Sequence, residues 1–325
     1  MFVYAGIDEA GYGPLIGPLV VARSVFALER QVPFLEPPSL WGLLSSAVCK
    51  RASDRKGRLA INDSKALYSP AWSLRSLERG VLSFLSTSGI GPRNLDDLLE
   101  ALAYDPLSST IMNEWYDDPD GKPHLPLFLS HTQLVSLNEK LQRAMKNASV
   151  RLADINTAVV FEDRFNQMVK ISRSKAACAW AFVSGHIHHI WQKYGEYHPL
   201  VVVDRQGGRK AYWALLGSLL SPAAVSILQE NSAQSLYRVS DGSREMHVLV
   251  QVESERRHFP VALASMAAKY VRELLMSRFQ SFWLLHAPQV RPTFGYFADG
   301  RRFLREIEPL ISDLNIDPAA FVRRC

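Results

Sequence analysis

Runs rich in β-branched and aromatic residues come first along the chain. FVYAGI at 2–7, LVVARSVFAL at 19–28 and RLAIND at 58–63 each carry the composition that strands favour, and together they predict a meander. A helix is expected near Trp72 to Leu85, behind the start signal Ser69-Pro70. From about 91 to 150 the character changes: an acidic cluster, the turn-rich DDPDGKPHLP and one amphipathic piece around Leu134 to Met145 read as an insertion or small subdomain. Residues 166–194 are helical in pattern, and HPLVVVD at 198–204, a short apolar run ending on an acid, reads as a buried strand. SLYRV and MHVLVQV then flank the turn SDGSRE as two further strands. PVALASMAAKYVRELLMSRFQSFW predicts a long helix whose alanines at 262, 264, 267 and 268 allow close approach to a sheet, and a last helix starts near Asp299. Strands first and a helix-strand-helix unit later imply an α/β or α+β layer fold with a mixed sheet.

Composition narrows the class. With 325 residues, 47% of them hydrophobic, the chain can bury a sizeable core as one large domain or two ordinary ones. The formal charge of +5 suits a polyanionic partner, the more so because acids crowd the segment 96–120 and leave the remainder clearly basic. Cys49, Cys178 and Cys325 are far apart, so neither a zinc ribbon nor a disulfide framework is indicated and a reducing cytoplasm is the expected setting. The most apolar early run, PLIGPLVVA, is broken by prolines and a glycine, so neither a signal peptide nor a membrane span is expected.

Four acids stand in chemically suggestive places. Asp8 and Glu9 follow the first strand, Asp204 ends the strand at 198–204, and Glu255 precedes the alanine-rich helix. If the strands carrying Asp8 and Asp204 are neighbours, their ends converge at one edge of the sheet. Like charges about 4 Å apart repel by roughly 1 to 4 kcal/mol per pair, so such a cluster takes up protons or binds cations. An oxygen-only set favours Mg²⁺ or Mn²⁺ over zinc, and two such ions suit phosphodiester cleavage. Each acid also has an ordinary reading: a solvated turn for Asp8 and Glu9, a helix N-cap near Lys210 for Asp204, and a surface charge for Glu255. Gly11 and Gly13 expose backbone N–H groups to an approaching phosphate or sugar, or simply shape a tight turn.

Taken in order, these motifs resemble those of the ribonuclease HII family. GIDEAGYGPLIGPLVVA is similar to its opening signature, Asp-Glu-Ala-Gly-Arg-Gly-Pro-Leu-x-Gly-Pro-Val-Val. NDSKALYS, FEDRFN, VVVDRQG, ALASMAAKYVRE and FGYFADGRRFL then follow as its later motifs do. The resemblance covers most of the chain outside roughly 91–150 and 230–250. It implies a ribonuclease H-like fold, a central mixed sheet flanked by helices. The core would comprise 1–90 and 151–325, becoming helical from about 286, with 91–150 inserted. It further implies that Asp8, Glu9, Asp204 and Glu255 bind two Mg²⁺ or Mn²⁺ ions and are the catalytic residues. Cleavage would fall 5′ of ribonucleotides in RNA/DNA hybrids or in DNA duplexes with embedded ribonucleotides, leaving 3′-hydroxyl and 5′-phosphate ends. Gly11, Tyr12 and Gly13 would read the 2′-hydroxyl, Tyr296 would stack on the neighbouring sugar, and Lys65 would meet a phosphate. The alternatives are a nucleic-acid-binding relative with weak catalysis and a nuclease of the same fold for another structured nucleic acid.

The chain departs from the family pattern at three places. Tyr12 stands where the family has arginine, Glu255 where it has aspartate, and Arg205 where it has glycine. His186, His188 and His189 in GHIHHIW invite a zinc reading, but their helical spacing does not put all three on one face, and a structural role is expected.

Overall fold

A computed structural model describes all residues except 31–35, 55, 69–73, 105–112, 119, 121, 206–207 and 325. Its strands and α-helices are, in chain order, β1 (Phe2–Ala10), β2 (Leu19–Leu28), α1 (Leu40–Leu43), β3 (Val48–Cys49), β4 (Leu59–Ala60), α2 (Ser64–Leu67), α3 (Arg75–Thr87), α4 (Leu95–Leu102), α5 (His131–Ala148), β5 (Val150–Val160), α6 (Glu162–Ser172), α7 (Lys175–Tyr194), β6 (Leu200–Asp204), α8 (Trp213–Leu220), β7 (Ala224–Glu230), β8 (Gln234–Ser240), β9 (Glu245–Gln251), α9 (Phe259–His286) and α10 (Phe297–Asp313).

Seven strands form one sheet in the order β5-β2-β1-β6-β9-β8-β7. The β1, β2 and β5 strands form an antiparallel meander, β6 and β9 run parallel to β1, and β8 and β7 return antiparallel. The sheet is therefore mixed and flanked by helices, as expected, and β1 lies beside the strand that ends at Asp204. The third meander strand is β5, not residues 58–63. Only Leu59 and Ala60 of that run are extended, and they pair with β3 in a separate two-stranded sheet. The sequence VRLADINTAVV of β5 went unread although its buried positions largely alternate, because alternating polar residues dilute its apolar signal. The edge strand β7 was also missed; none of its residues is buried, so no core-facing alternation marks it. The helical stretch 166–194 is two helices, α6 and α7, separated at Arg173, whose φ of 55° cannot continue a helix. The start signal Ser69-Pro70, Trp72 and the Gln206-Gly207 part of VVVDRQG lie outside the described residues.

Helix α9 covers one face of the sheet. Ala262, Ala264, Ala267 and Ala268 are fully buried, and Gly6 of β1 makes room: a Cβ there would stand 2.1 Å from the Val261 nitrogen. Helix α7 covers the other face through Cys178, Val183, Ile187 and Ile190. The described part of 91–150 shares the α9-side core, to which Leu95, Leu98, Leu102, Tyr116 and Leu141 contribute. Buried Arg278 of α9 fastens it, with paired bonds to Asp96 at 2.7 and 2.6 Å and further bonds to the Lys122 and Tyr116 carbonyls. No described helix is long and apolar enough to cross a membrane.

Candidate active site

The register of the central strands brings the first two acids of interest together. Ile7 pairs with Val203 across β1 and β6, so Asp8 and Asp204 are the next residues on parallel neighbours, side by side. Asp204 ends β6, whereas Asp8 and Glu9 do not follow the first strand but lie within it, because pairing with Ala22 and Val21 of β2 extends β1 to Ala10. Alternation along β1 turns Asp8 to the α9 side with Tyr4 and Gly6, and sets Glu9 on the opposite side with Ile7. Asp8 is buried, accepts the Glu9 backbone N–H at 2.7 Å, and bonds to Ser265 of α9. The Ser64 hydroxyl, at the start of α2, stands 3.0 Å from that of Ser265. Asp204 accepts both the backbone N–H and the hydroxyl of Ser254 at 3.0 and 3.1 Å. It is therefore anchored on the turn after β9 and caps no helix: α8 starts only at Trp213, and its N-cap residue is Tyr212. Glu255 sits on the same turn, hydrogen-bonded to Asp204, with its Oε2 buried and unpartnered.

The electrostatics of this cluster are unfavourable as it stands. Burial, then the charges of Asp204 and Glu9, push the Asp8 carboxyl well above the usual carboxylate range. Burial also raises Asp204, against the Ser254 hydrogen bonds and the charge of Lys65. Glu255 is pushed up to about 7 by burial and by Asp204, and the charge of Asp63 adds to this. Asp63 is an acid that sequence reading passed over. It is buried and caps α2 by accepting the Lys65 N–H at 2.9 Å, and its place in NDSKALYS was the available signal.

The donor chemistry fits a hard divalent cation: oxygens only, with one orphaned buried carboxylate oxygen and like charges that oppose joint ionisation. The acids meet as pairs, and among the described residues no group of three or more His, Cys, Asp or Glu side chains is arranged to hold a metal ion.

The glycine loop lies directly beyond β1, and its two glycines serve different ends. Gly11 has φ of +87°, and a Cβ would stand 2.4 Å from the Pro18 carbonyl oxygen, so the fold itself requires glycine. At Gly13 nothing lies within 4 Å of a Cβ and φ is not positive, so this glycine leaves open space for something outside the fold. Arg272 of α9 underpins the loop by bonding the Ile16 and Phe294 carbonyls, and it pairs with Glu273, which also takes bonds from Lys269 and Tyr68. Gly295, with φ of +79°, accepts the N–H groups of Leu15 and Ile16 through its carbonyl. That contact places Tyr296 beside the loop with half its surface exposed, near exposed Phe294 and Phe297.

The FEDRFN motif supports the same loop. Glu162 is fully buried and accepts the Gly17 N–H at 2.9 Å and the Tyr116 hydroxyl at 2.6 Å, while Asn166 donates to the Ala319 and Val322 carbonyls. Buried Arg323 from that C-terminal segment bonds the Pro14 carbonyl. Sequence reading had given these three residues no role.

Two departures acquire definite surroundings. The Arg205 guanidinium is spent on the Ser232 and Asn231 carbonyls of the β7–β8 turn. Tyr12 is partly buried between the charges of Glu9 and Arg209. The histidines form no zinc set. His186 is buried between Arg23 and the Val21 carbonyl, with burial and then Arg23 lowering its pKa to about 3, His189 bonds Asp154, and His188 is exposed.

No family model matches the sequence, and no curated protein matches it. Among solved structures, the chain is similar to ribonuclease HII of Archaeoglobus fulgidus, solved in complex with PCNA, at 16% identity over 99% of this chain and 94% of that one, with a TM-score of 0.41. It is also similar to ribonuclease H2 of Pyrococcus horikoshii OT3 at 14% identity, over 98% and 92% of the two chains, with a TM-score of 0.37. A third is Bst-RNase HIII in complex with Mn²⁺, at 12% identity over 99% and 66%, with a TM-score of 0.42.

Proposed function

We propose that the chain is a metal-dependent endoribonuclease that hydrolyses the phosphodiester 5′ of ribonucleotides in RNA/DNA hybrids or in DNA duplexes with embedded ribonucleotides. The observation that carries this reading is the meeting of Asp8 and Asp204 on adjacent strands, with Glu255 beside Asp204 and Glu9 next to Asp8 on the other face of β1, in a cluster whose charges oppose one another. Asp8, Glu9, Asp204 and Glu255 would hold the Mg²⁺ or Mn²⁺. Bound there, two such ions supply an activated water and stabilise the leaving oxygen, which gives 3′-hydroxyl and 5′-phosphate products.

The chain's own groups position the substrate. The open side of Gly13 admits a sugar to the backbone of Gly11, Tyr12 and Gly13, where a 2′-hydroxyl, as both donor and acceptor, distinguishes RNA from DNA. The exposed Tyr296 ring stacks on the adjoining sugar, and exposed Lys65, close enough to act on Asp204, meets a phosphate.

A second reading, a duplex-binding relative with weak catalysis, draws on the Asp204–Glu255 hydrogen bond, which ties up two carboxylates with each other. Labelled duplexes separate the two: one with a single ribonucleotide, one all-DNA and one RNA/DNA hybrid, each with Mg²⁺, Mn²⁺ or EDTA. The nuclease reading expects a metal-dependent cut 5′ of the ribonucleotide and none in the all-DNA duplex. Binding without a cut in either metal would overturn it and leave the second.

A further inference from the structure

Beside the acids, on the α2 side, lies a cavity of about 510 Å³, of whose lining the reading above uses Lys65 alone. Its walls include Lys50, Arg51, Ser53, Asn62, Lys65 and Tyr68, and no carboxylate is among its described lining residues. The loop joining β3 to β4 builds the far wall. Arg58 holds that loop closed through Asp54 at 2.8 Å, and Asn62 bonds the Lys50 carbonyl at 3.1 Å. Lys50 is fixed in place: its ammonium donates to the Arg256 carbonyl at 2.7 Å, next to Glu255, and lies 4.1 Å from the centre of the Trp41 ring. Exposed Arg51 and Lys65 have no side-chain hydrogen bond or ion pair with any described residue.

Three cations around one concavity repel one another, and no described side chain lining it offsets them. An anion seated among them does. A lone anion has no reason to settle beside an acidic cluster. A phosphate in a chain is carried there by its neighbours, and the step from the acids to this cavity runs through Lys65 on one side and Lys50 with Arg256 on the other. We propose that the cavity is a second phosphate subsite, in which Arg51 and Lys50, with Asn62, seat a backbone phosphate of the nucleic-acid strand whose reacting bond lies at the acids. The subsite deepens the reading above and rests on it for the identity of the strand.

The test is a salt titration of duplex binding by fluorescence anisotropy in EDTA, using a duplex with one ribonucleotide and comparing wild type, Arg51→Ala and Lys50→Ala/Arg51→Ala. Arg51 is exposed and unpartnered, so its removal leaves folding intact, which a thermal melt verifies. Binding weakens about tenfold in Arg51→Ala, the weight of one charge-assisted hydrogen bond. The slope of log affinity against log salt falls by about 1 for each phosphate contact removed. Neutral methylphosphonates placed one at a time along the strand then locate the subsite: one position weakens wild type but not Arg51→Ala. An unchanged slope, or equal sensitivity of both proteins at every position, overturns the subsite. Displacement of the duplex by inorganic phosphate more effectively than by chloride at equal ionic strength overturns its assignment to a strand. Cleavage by wild type is scored separately. A protein that shows the slope change without cutting keeps the subsite and loses the nuclease reading, and one that cuts without the slope change does the reverse.

Discussion

Two buried charge clusters in this molecule are built in opposite ways. Around Asp154, on the α7 side of the sheet, Arg23 at 3.1 Å, His189 at 3.1 Å and Lys193 at 3.5 Å gather about one carboxylate. Burial alone would raise it, but the His189 hydrogen bond and the Arg23 and Lys193 charges hold it well below the usual carboxylate range. On the α9 side of the sheet, Asp204 meets Asp8 on one side and Glu255 on the other, and all three are raised. The first cluster is complete within the protein and serves stability. The second sets like charges against one another, and perturbed carboxylates of this kind are the ones the proposed function uses.

The sharpest way to break this contrast is to neutralise one carboxylate in each cluster. Asp8→Asn is expected to slow metal-dependent cleavage by about a thousandfold or more, equivalent to about 4 kcal/mol of barrier. Its melting temperature should not fall, since a crowded charge is lost and an amide oxygen still accepts the Glu9 N–H. Single-turnover kinetics and a thermal melt check both parts. Asp154→Asn should do the converse, losing about 3 kcal/mol in urea unfolding because buried Arg23 is left without its counter-charge, while cleavage per folded molecule is unchanged.

Glu162 stands between these extremes, a single buried carboxylate with one oxygen bonded twice and the other unpartnered. Burial raises it to about 7 despite the Tyr116 hydrogen bond and the Arg323 charge. Its folded pKa lies above its ordinary value, so the stability it contributes is full below about pH 4.5 and is lost as pH rises through about 7. Glu162→Gln, neutral throughout, should gain on wild type between about pH 5 and pH 8, by up to roughly 3 kcal/mol. A difference in unfolding free energy that stays flat with pH would show that Glu162 ionises freely in the fold. The smallest effect belongs to Gly13. Gly13→Ala should alter stability by less than about 0.5 kcal/mol yet weaken discrimination for the ribonucleotide, in contrast to Gly11→Ala, which should cost about 3 kcal/mol or more through its left-handed backbone and the clash with the Pro18 carbonyl. Melting and competition between ribonucleotide and all-DNA duplexes distinguish them.

Much of the sheet was legible because its central strands are predominantly apolar runs, broken in β2 only by Arg23 and Ser24. Phe2 to Ile7, Leu19 to Leu28 and Leu200 to Val203 are buried on both faces and could be little else. Strand β5 was not legible, because Arg151, Asp154 and Asn156 interrupt it and the last two owe their place to Arg23, which lies far away in sequence. Among the acids, Asp8 and Asp204 announced themselves by directly following such apolar runs. Their meeting depended on β1 and β6 being neighbours, a long-range pairing that no local pattern encodes. Asp63, Ser254 and Ser265 were hidden for a related reason. Each is an ordinary polar residue until a turn or helix from elsewhere brings it to a carboxylate.

The loop over residues 11–17 is closed by Gly295 and Arg323, some 280 to 310 residues further along. During synthesis on a ribosome, strands β1 to β9, and with them both aspartates, emerge before either closing residue does. The nascent chain thus exposes both aspartates before it can close the loop beside them, and the conformation of that loop is the last part of this region to be fixed.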